Sequence, residues 1–539
     1  MSPHVSDLVE FVDKSSNFFT PVFIFGYMNN HPQRFGYFKK LTQIKFFQNI
    51  SFYLALKILY LMENWLLSRN KFSRKFPKPR VISENYPLIE VQGKWDKTGK
   101  YLNFTNRDIR EISKESFDII IRCGSGIISG KILELPKFGI LSQHLGDNRT
   151  NRGGPPGFWE VYEKNPTSGF VIQRLTDELD GGLILYRGNV YTQSTWFLNS
   201  FQLRTKANFF MKSILLKIAN DCKLPEANFS YYYDRKILKM KKSVFVLIKY
   251  SLNVYLPKLL KLFNLNKVVM WEIRFNPTDK VPSQLSKFKR IKPLHKTFCA
   301  DPFIIEHNNQ KVIFFELFDE KSNKGVIAAV DVDSAKNEPI IVLEENFHMS
   351  FPFVFKFQNR IFMIPETSSV GAIRLYECKE FPYRWEFHST LIDNIDAADS
   401  MIFYISKTWY LLTNVCSANI GDHNSELHVY YSSKLFGGEW QPIKSGNPVV
   451  FNPLKARNGG FILKDGQLYR VNQVPRYGSY GEKIEINRVV KLDSNQYQEE
   501  FMQELKPLFD KRYSNLHHLT IVNEMATFDL GVKRFSLFK

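Results

Sequence analysis

Apolar positions along the first 220 residues fall into blocks, and the blocks change period. Residues 5–15 carry apolar side chains at helical spacing, and Thr20–Asn29 (TPVFIFGYMN) reads as a buried strand. The most apolar stretch, Ile50–Leu67, is interrupted by Lys57, Glu63 and Asn64. A bilayer span needs about 18–20 uninterrupted apolar residues, so this stretch predicts a partly buried amphipathic helix, with membrane-surface contact as the alternative. After the polar, Pro-punctuated KFSRKFPKPR, the run FDIIIRCGSGIISGKILELPKFGILSQHLGDNR predicts a strand, a Gly-rich turn, a short helix and a second strand. Strands alternating with helical stretches imply crossovers and a mostly parallel sheet. Trp196–Cys222 predicts a long helix, and residues 235–290 a basic helical connector with SVFVLIKYSLNVYLPKLLKLFNL as its apolar core.

From about residue 290 the period shortens. KVIFFELF, GVIAAVDVD, RIFMIPET, TWYLLTN, LHVYYSS and GQLYRVNQ are short runs separated by turn residues. About 245 residues of this kind divide into five blades of roughly 40–50 residues, the signature of a propeller. Three regions follow: an α/β domain over 1–220, a basic helical linker over 221–290, and an all-β five-bladed propeller over 291–539.

Composition adds two constraints. Aromatic residues make up 15% of the 539, with 48 Phe, which suits half-buried pleated surfaces. The net charge of +20 is uneven: residues 1–80 hold 12 basic and 4 acidic side chains, and residues 203–292 hold 20 and 5. Such stretches meet anions, whether nucleic acid, acidic lipid or a phosphorylated substrate, or else form a solvated face. Five scattered Cys without a C-x-x-C pair argue against a disulfide framework or zinc site, and no metal is expected. Absence of an apolar leader core at the N-terminus adds to an expectation of a cytoplasmic protein.

Candidate chemistry concentrates in Gly139–Leu185. Ser142 and His144 stand two apart at a strand end, so they share a face. Gly146, Asp147, Asn148, Arg149 and the following Arg152–Gly157 form a loop whose glycines let backbone donors approach a ligand. Asp180, ahead of Gly181 and Gly182, lies at a second loop mouth, and a His with an Asp can run acid–base chemistry near neutral pH. A structural hydrogen bond between such a pair is the plainer alternative.

Ser142-Gln143-His144, Arg152-Gly153 and Asp180-Gly181-Gly182 together resemble the folate-dependent formyltransferases, whose hallmark is N-x-H, a loop ending in R-G, and a later D-x-G. The resemblance spans roughly residues 1–215 and departs in two ways. Ser142 stands where the family has Asn, and the family's opening strand with its nucleotide-fold glycine turn is not matched. It implies transfer of a formyl group from 10-formyltetrahydrofolate to the amine of an amino sugar. His144 would manage the proton, Asp180 would orient it, and Ser142 would support the oxyanion. Gly124, Gly126, Gly146, Asp147, Asn148, Arg152 and Gly153 would frame the folate. A domain that binds but no longer transfers is the alternative.

The second half carries ADPF (300–303), FFEL (314–317), HMSFPFVF (348–355), MIPET (363–367), ARNGG (456–460) and DGQLYRVNQ (465–473). This series resembles the five-bladed propellers related to arabinanases and to plant glucosamine inositolphosphorylceramide transferases. The resemblance implies a central funnel, with Asp301, Glu316, His348, Glu366, Arg457 and Gln473 as its candidate residues. Two carboxylates there could hydrolyse a glycosidic bond. Holding a glycan is the favoured expectation over cleaving it, and bracing between blades is the plain alternative. The expected partners are an amino-sugar or a nucleotide- or lipid-linked sugar, together with peripheral contact to an anionic membrane surface. Nucleic acid is disfavoured. A catalytically degenerate carbohydrate-binding or scaffold protein, or a glycosidase-like propeller, are the rival readings of the whole.

Overall fold

The computed structural model describes residues 2–26, 44–67, 86–98, 100–124, 126–150, 154–178, 181–226, 243–263, 267–278, 281, 288–333, 338–507 and 511–535. The chain forms two compact units, Met1–Glu163 with Ser168–Val254, and Tyr255–Lys539 with Lys164–Thr167.

In the first unit, helix α1 (Pro3–Lys14) starts at Ser2, whose hydroxyl accepts from the Val5 amide. Helix α2 spans Ile44–Leu67, α3 Phe158–Glu163, α4 Trp196–Asp221 and α5 Val244–Leu262. The long α4 is capped from three sides. Thr195 Oγ1 accepts from the Leu198 amide, Glu63 Oε2 from the Phe197 amide, and Tyr250 Oη from the Trp196 amide. Free N–H groups at a helix start need such partners, and a carboxylate also complements the helix dipole. Glu63, which breaks the apolar run in the sequence, is therefore a buried cap.

Strand β1 (Phe23–Gly26) pairs in parallel with β2 (Leu88–Val91). Residues 27–29 of the expected strand lie outside the described residues. Strands β3 (Ile120–Arg122), β4 (Ile140–His144), β5 (Thr167–Arg174) and β6 (Leu183–Tyr191) form one sheet in that order. The β3–β4 pair is parallel, as the intervening turn and short helix require, but β4–β5 is antiparallel. The expected mostly parallel sheet is thus mixed, because the Gly/Pro loop and the short α3 turn the chain back instead of carrying it over. Gln143 Nε2 donates to Asn208 Oδ1 of α4 at 2.9 Å, fixing β4 on that helix.

In the second unit, four blades follow one another as antiparallel sheets beginning at Thr297, Ser350, Ala397 and Asn458. The fifth is composite. Leu519–Val522 is its innermost strand, next to Met525–Phe535, and its third strand is Lys267–Pro277, paired over its whole length with Met525–Phe535. This corrects the linker expected over 221–290. Helix is present over Val244–Leu262, whereas the apolar alternation Val269, Trp271, Ile273, Phe275 supplies the strand that closes the last blade. The innermost strands of blades 1 to 5 pack in order, and that of blade 5 packs against that of blade 1, so the ring is closed.

Each of the first four innermost strands breaks register at one place: Ala300/Phe303, Ser350/Phe353, Ala398/Met401 and Asn458/Phe461. At the breaks Asp301, Phe351, Asp399 and Gly460 take positive φ, of 54°, 46°, 51° and 104°. A bulge of this kind re-aims a side chain and ends local pairing. Beyond the bulges, Phe303, Phe353, Phe403 and Phe461 contribute one ring each from blades 1 to 4, with Phe353 centroids 5.6, 5.8 and 5.5 Å from Phe303, Phe403 and Phe461. The Phe enrichment thus fills the centre of the propeller.

Candidate functional site

The N-terminal site is built at the end of β4. Arg122 and Ser142 are register partners on the parallel pair β3–β4, and Arg122 Nη1 donates to Ser142 Oγ at 3.3 Å. Arg122 Nη2 donates to the Gly126 carbonyl, tying the glycine turn to the same guanidinium. Burial holds the Arg122 pKa below its ordinary value. Ser142 is buried and His144 half-buried, two residues on along the same strand. Arg122 was missed in the sequence, although a cation ending an otherwise apolar strand was the signal.

The loop after His144 divides its labour. Asp147 is committed to arginines: its Oδ1 accepts from Arg187 Nη1 at 2.8 Å and from the Arg149 amide, and its Oδ2 from Arg149 Nη2 at 2.8 Å. Burial works to raise its pKa, but the hydrogen bonds and charges of the two arginines prevail and lower it. A β-carbon at Gly169 would lie 2.6 Å from Asp147 Cβ, so this carboxylate sits in a tight seat. The residue expected to meet a ligand is in this structure a staple for the loop. Asn148 differs, since it is buried with an Oδ1 that has no hydrogen-bond partner.

Gly146 is buried behind them. Gly126 has φ +94°, and a β-carbon there would lie 2.7 Å from the Trp95 ring, whereas Gly124 is exposed and borders open space. Gly157 has φ +75° and lies against α4, where Asn199 Nδ2 donates to its carbonyl at 2.9 Å. Arg152, Gly153 and Asp180 lie outside the described residues.

The funnel of the propeller is the second site. Asp301 and Asp399, at equivalent bulges of blades 1 and 3, are both buried. Glu316 and Glu366 hold equivalent places on the next strands of blades 1 and 2, opposite Ala300 and Ser350. Blade 5 adds Asp529, whose two oxygens accept from the amides of Asp301 and of His517 and His518. His517 bridges the acids: Nε2 lies 3.0 Å from Asp301 Oδ1, and Nδ1 lies 3.0 Å from Asp529 Oδ1.

Charge sorts these groups. Burial alone would lower the His517 pKa, but Asp529 and Asp301 override it and raise it to about 10. Burial likewise acts to raise Asp301, and the His517 cation outweighs it, leaving its pKa lowered. Glu316 is pushed well above the usual carboxylate range by burial and by its neighbours Asp301 and Glu366. Burial raises Asp399 to about 6 against the pull of Arg457, whose Nε donates to its Oδ2 at 2.7 Å. His518 is lowered to about 4 by burial. Asp301, His517 and Asp529 bring one ligand atom each within 4.8 Å of one another, a set that would hold a metal ion only with His517 deprotonated.

Of the six residues expected to line the funnel, Asp301, Glu316, Glu366 and Arg457 join this charged cluster. His348 stands at its edge, with Nε2 3.7 Å from Glu316 Oε1 and Nδ1 accepting from the Gly325 amide at 2.9 Å. Gln473 is buried and donates to the Asn458 carbonyl at 2.7 Å. Asp399, His517, Asp529 and Tyr480, whose ring lies 4.5 Å from the Arg457 guanidinium, were not anticipated. The repeat of Ala-Asp at 300–301 and 398–399 was the available signal.

The chain is similar to two kinds of protein. Residues 289–514 match the family "Glucosamine inositolphosphorylceramide transferase 1, N-terminal". The chain is 33% identical over 208 residues to glucosamine inositolphosphorylceramide transferase 1 of Oryza sativa subsp. japonica, covering 38% of this chain and 27% of that protein. It is 33% identical over 212 residues to the Arabidopsis thaliana protein of the same name, with the same coverage. The chain therefore spans only about a quarter of the length of these relatives. It is also 27% identical over 177 residues to methionyl-tRNA formyltransferase of Wigglesworthia glossinidia brevipalpis, covering 32% of this chain and 53% of that one. Among solved structures, an alpha-L-arabinofuranosidase from Podospora anserina covers 50% of this chain and 98% of its own at 10% identity and a TM-score of 0.35.

Proposed function

We propose that this chain is a transferase of glycan assembly. Its N-terminal unit transfers a formyl group from 10-formyltetrahydrofolate to the amine of an amino sugar, and its propeller holds the glycan. The observation that carries this reading is the Arg122–Ser142 contact, two residues before His144 at the end of β4. The likeness of part of the chain to a methionyl-tRNA formyltransferase supports it.

The residues present fit a reduced folate. Asn148 offers a buried oxygen without a partner, and open space borders Gly124. When bound, the folate would supply the formyl carbon. His144 would accept the proton of the attacking amine and deliver a proton to the folate nitrogen as its bond to the formyl carbon breaks, tasks suited to an imidazole near neutral pH. Ser142 donates its hydroxyl proton to the developing oxyanion while its oxygen accepts from Arg122, so a cation backs the shorter side chain that replaces the family's amide. Asp180, which lies outside the described residues, would orient the proton transfer.

A second reading, sugar-bond chemistry in the funnel, is favoured by one observation. Asp301 is biased toward its ionised form and Glu316 toward its protonated form, the division of states that acid and base roles need.

Calorimetry with a non-hydrolysable formylfolate analogue tests the first reading. Binding should be present in the wild-type chain and weakened about tenfold by Asn148→Ala, the loss of one buried hydrogen bond. No heat at high micromolar ligand with folded protein would refute it.

A further inference from the structure

Helix α2 is apolar on both its inward and its outward face. Its inward face is Phe52, Leu56, Leu59 and Glu63, all buried. Its outward face is also apolar, with Leu54, Ile58, Leu61, Trp65 and Leu66 each more than half exposed. These positions recur every three or four residues, so they form a stripe along the helix. The first half of α5 repeats the arrangement: Val246, Tyr250 and Val254 face inward, and Phe245, Ile248 and Leu252 face out.

The two helices are neighbours. Tyr250 Oη donates to Glu63 Oε1 at 2.6 Å, and both side chains cap the start of α4. Their inward faces meet at one anchor, and both apolar stripes are turned away from it. Exposed apolar stripes of this kind mark an interaction site.

Charge selects the partner. Glu63, the one acidic residue of α2, is buried, and α5 contains no acidic residue. Among the described residues of these helices within the first unit, the exposed charges beside the stripes are Lys57 on α2 and Lys249 on the first half of α5. Apolar stripes on helices that expose lysines and no acid of their own among the described residues fit the boundary between anionic head groups and acyl chains. No helix among the described residues is long and apolar enough to cross a membrane.

We propose that the outward faces of α2 and α5 dock the protein onto the surface of an anionic bilayer, lying in its interface. This stands apart from the transfer chemistry, since it concerns neither His144 nor the funnel.

Co-sedimentation of the full chain with phosphatidylcholine vesicles, with and without phosphatidylserine, tests it. Binding should require phosphatidylserine and weaken as salt rises. Leu54→Gln/Ile58→Gln/Leu61→Gln should reduce it at least tenfold, and Lys57→Gln/Lys249→Gln by about fivefold per lysine. These residues are exposed, so unchanged circular dichroism and melting temperature should accompany both losses. Removing Trp65 by substitution with Phe should abolish a vesicle-induced blue shift of tryptophan emission. Equal binding to neutral vesicles, no binding, or retention of binding in the triple variant would overturn the proposal. So would a stable dimer in light scattering that the triple variant turns into monomer, because a second copy would then cover the stripes.

Discussion

Arg122 and Ser142 face each other across the parallel pair β3–β4, guanidinium to hydroxyl, at 3.3 Å. A hydroxyl alone is a weaker substitute for an amide as an oxyanion donor. A hydroxyl whose oxygen accepts from a cation is a stronger donor, because its proton is polarised. Ser142 and Arg122 should therefore act as a unit. Ser142→Ala is expected to lower formyl-transfer turnover by about 10²–10³. Arg122→Met should cost a comparable factor, and the double variant little more than either, since the same stabilisation is removed. Steady-state kinetics on the four proteins check this, and strictly additive losses would show that the pair is not coupled.

His517 ties the stability of the propeller to alkaline pH. Its pKa is about 10 in the fold against 6.5 unfolded, so the stabilisation is fully present below pH 6.5 and is lost as pH rises toward 10. Melting temperature measured from pH 6 to 10 should fall over that window. His517→Gln should remove the slope while lowering stability at pH 7 by about 3–5 kcal/mol, because two buried carboxylates lose their shared cation. An unaltered slope in that variant would show that another group is responsible.

Glu316 and Asp301 are neighbours whose pKa values move in opposite directions, Glu316 up through burial and adjacent acids and Asp301 down through the His517 cation. Glu316→Gln replaces a carboxyl whose charged form is disfavoured by burial and its acidic neighbours with a neutral near-isostere, so unfolding at pH 7 should shift by less than about 1 kcal/mol. Asp301→Asn strips His517 of a counter-charge and should cost about 3 kcal/mol or more. Urea unfolding of both variants decides the matter, and a reversed order of costs would refute the assignment.

The aromatic centre carries a prediction of a different kind. Phe353 touches rings from blades 1, 3 and 4 and is almost fully buried. Phe353→Ala should destabilise the propeller by about 3–5 kcal/mol through lost burial and the cavity left behind. A loss below 1 kcal/mol by urea unfolding would mean that the ring cluster contributes little.

Much of this architecture is written locally in the chain. Ser2 and Thr195 cap the helices that the apolar period predicts, and the short runs after residue 290 become blades. What escaped detection depends on distant partners. Lys267–Pro277 reads as a continuation of a basic helix until Met525–Phe535, some 250 residues later, is laid against it. Glu63 looks like an interruption until the start of α4 is beside it. In the funnel, Asp399, His517 and Asp529 come from blades 3 and 5, and no spacing in the sequence brings them near Asp301. The bulges that aim Asp301 and Asp399 inward are legible only as the repeated Ala-Asp pair.

The central claim is that His144 serves formyl transfer. The direct measurement is mass spectrometry for a gain of one formyl group on nucleotide-linked and lipid-linked amino sugars incubated with the chain and 10-formyltetrahydrofolate. Formylated product is expected with the wild type and should fall by about 10²–10⁴ in His144→Ala, the usual contribution of a positioned acid–base group. A wild-type yield that persists unchanged in His144→Ala, or no product on any acceptor from folded protein that binds the folate analogue, would contradict it.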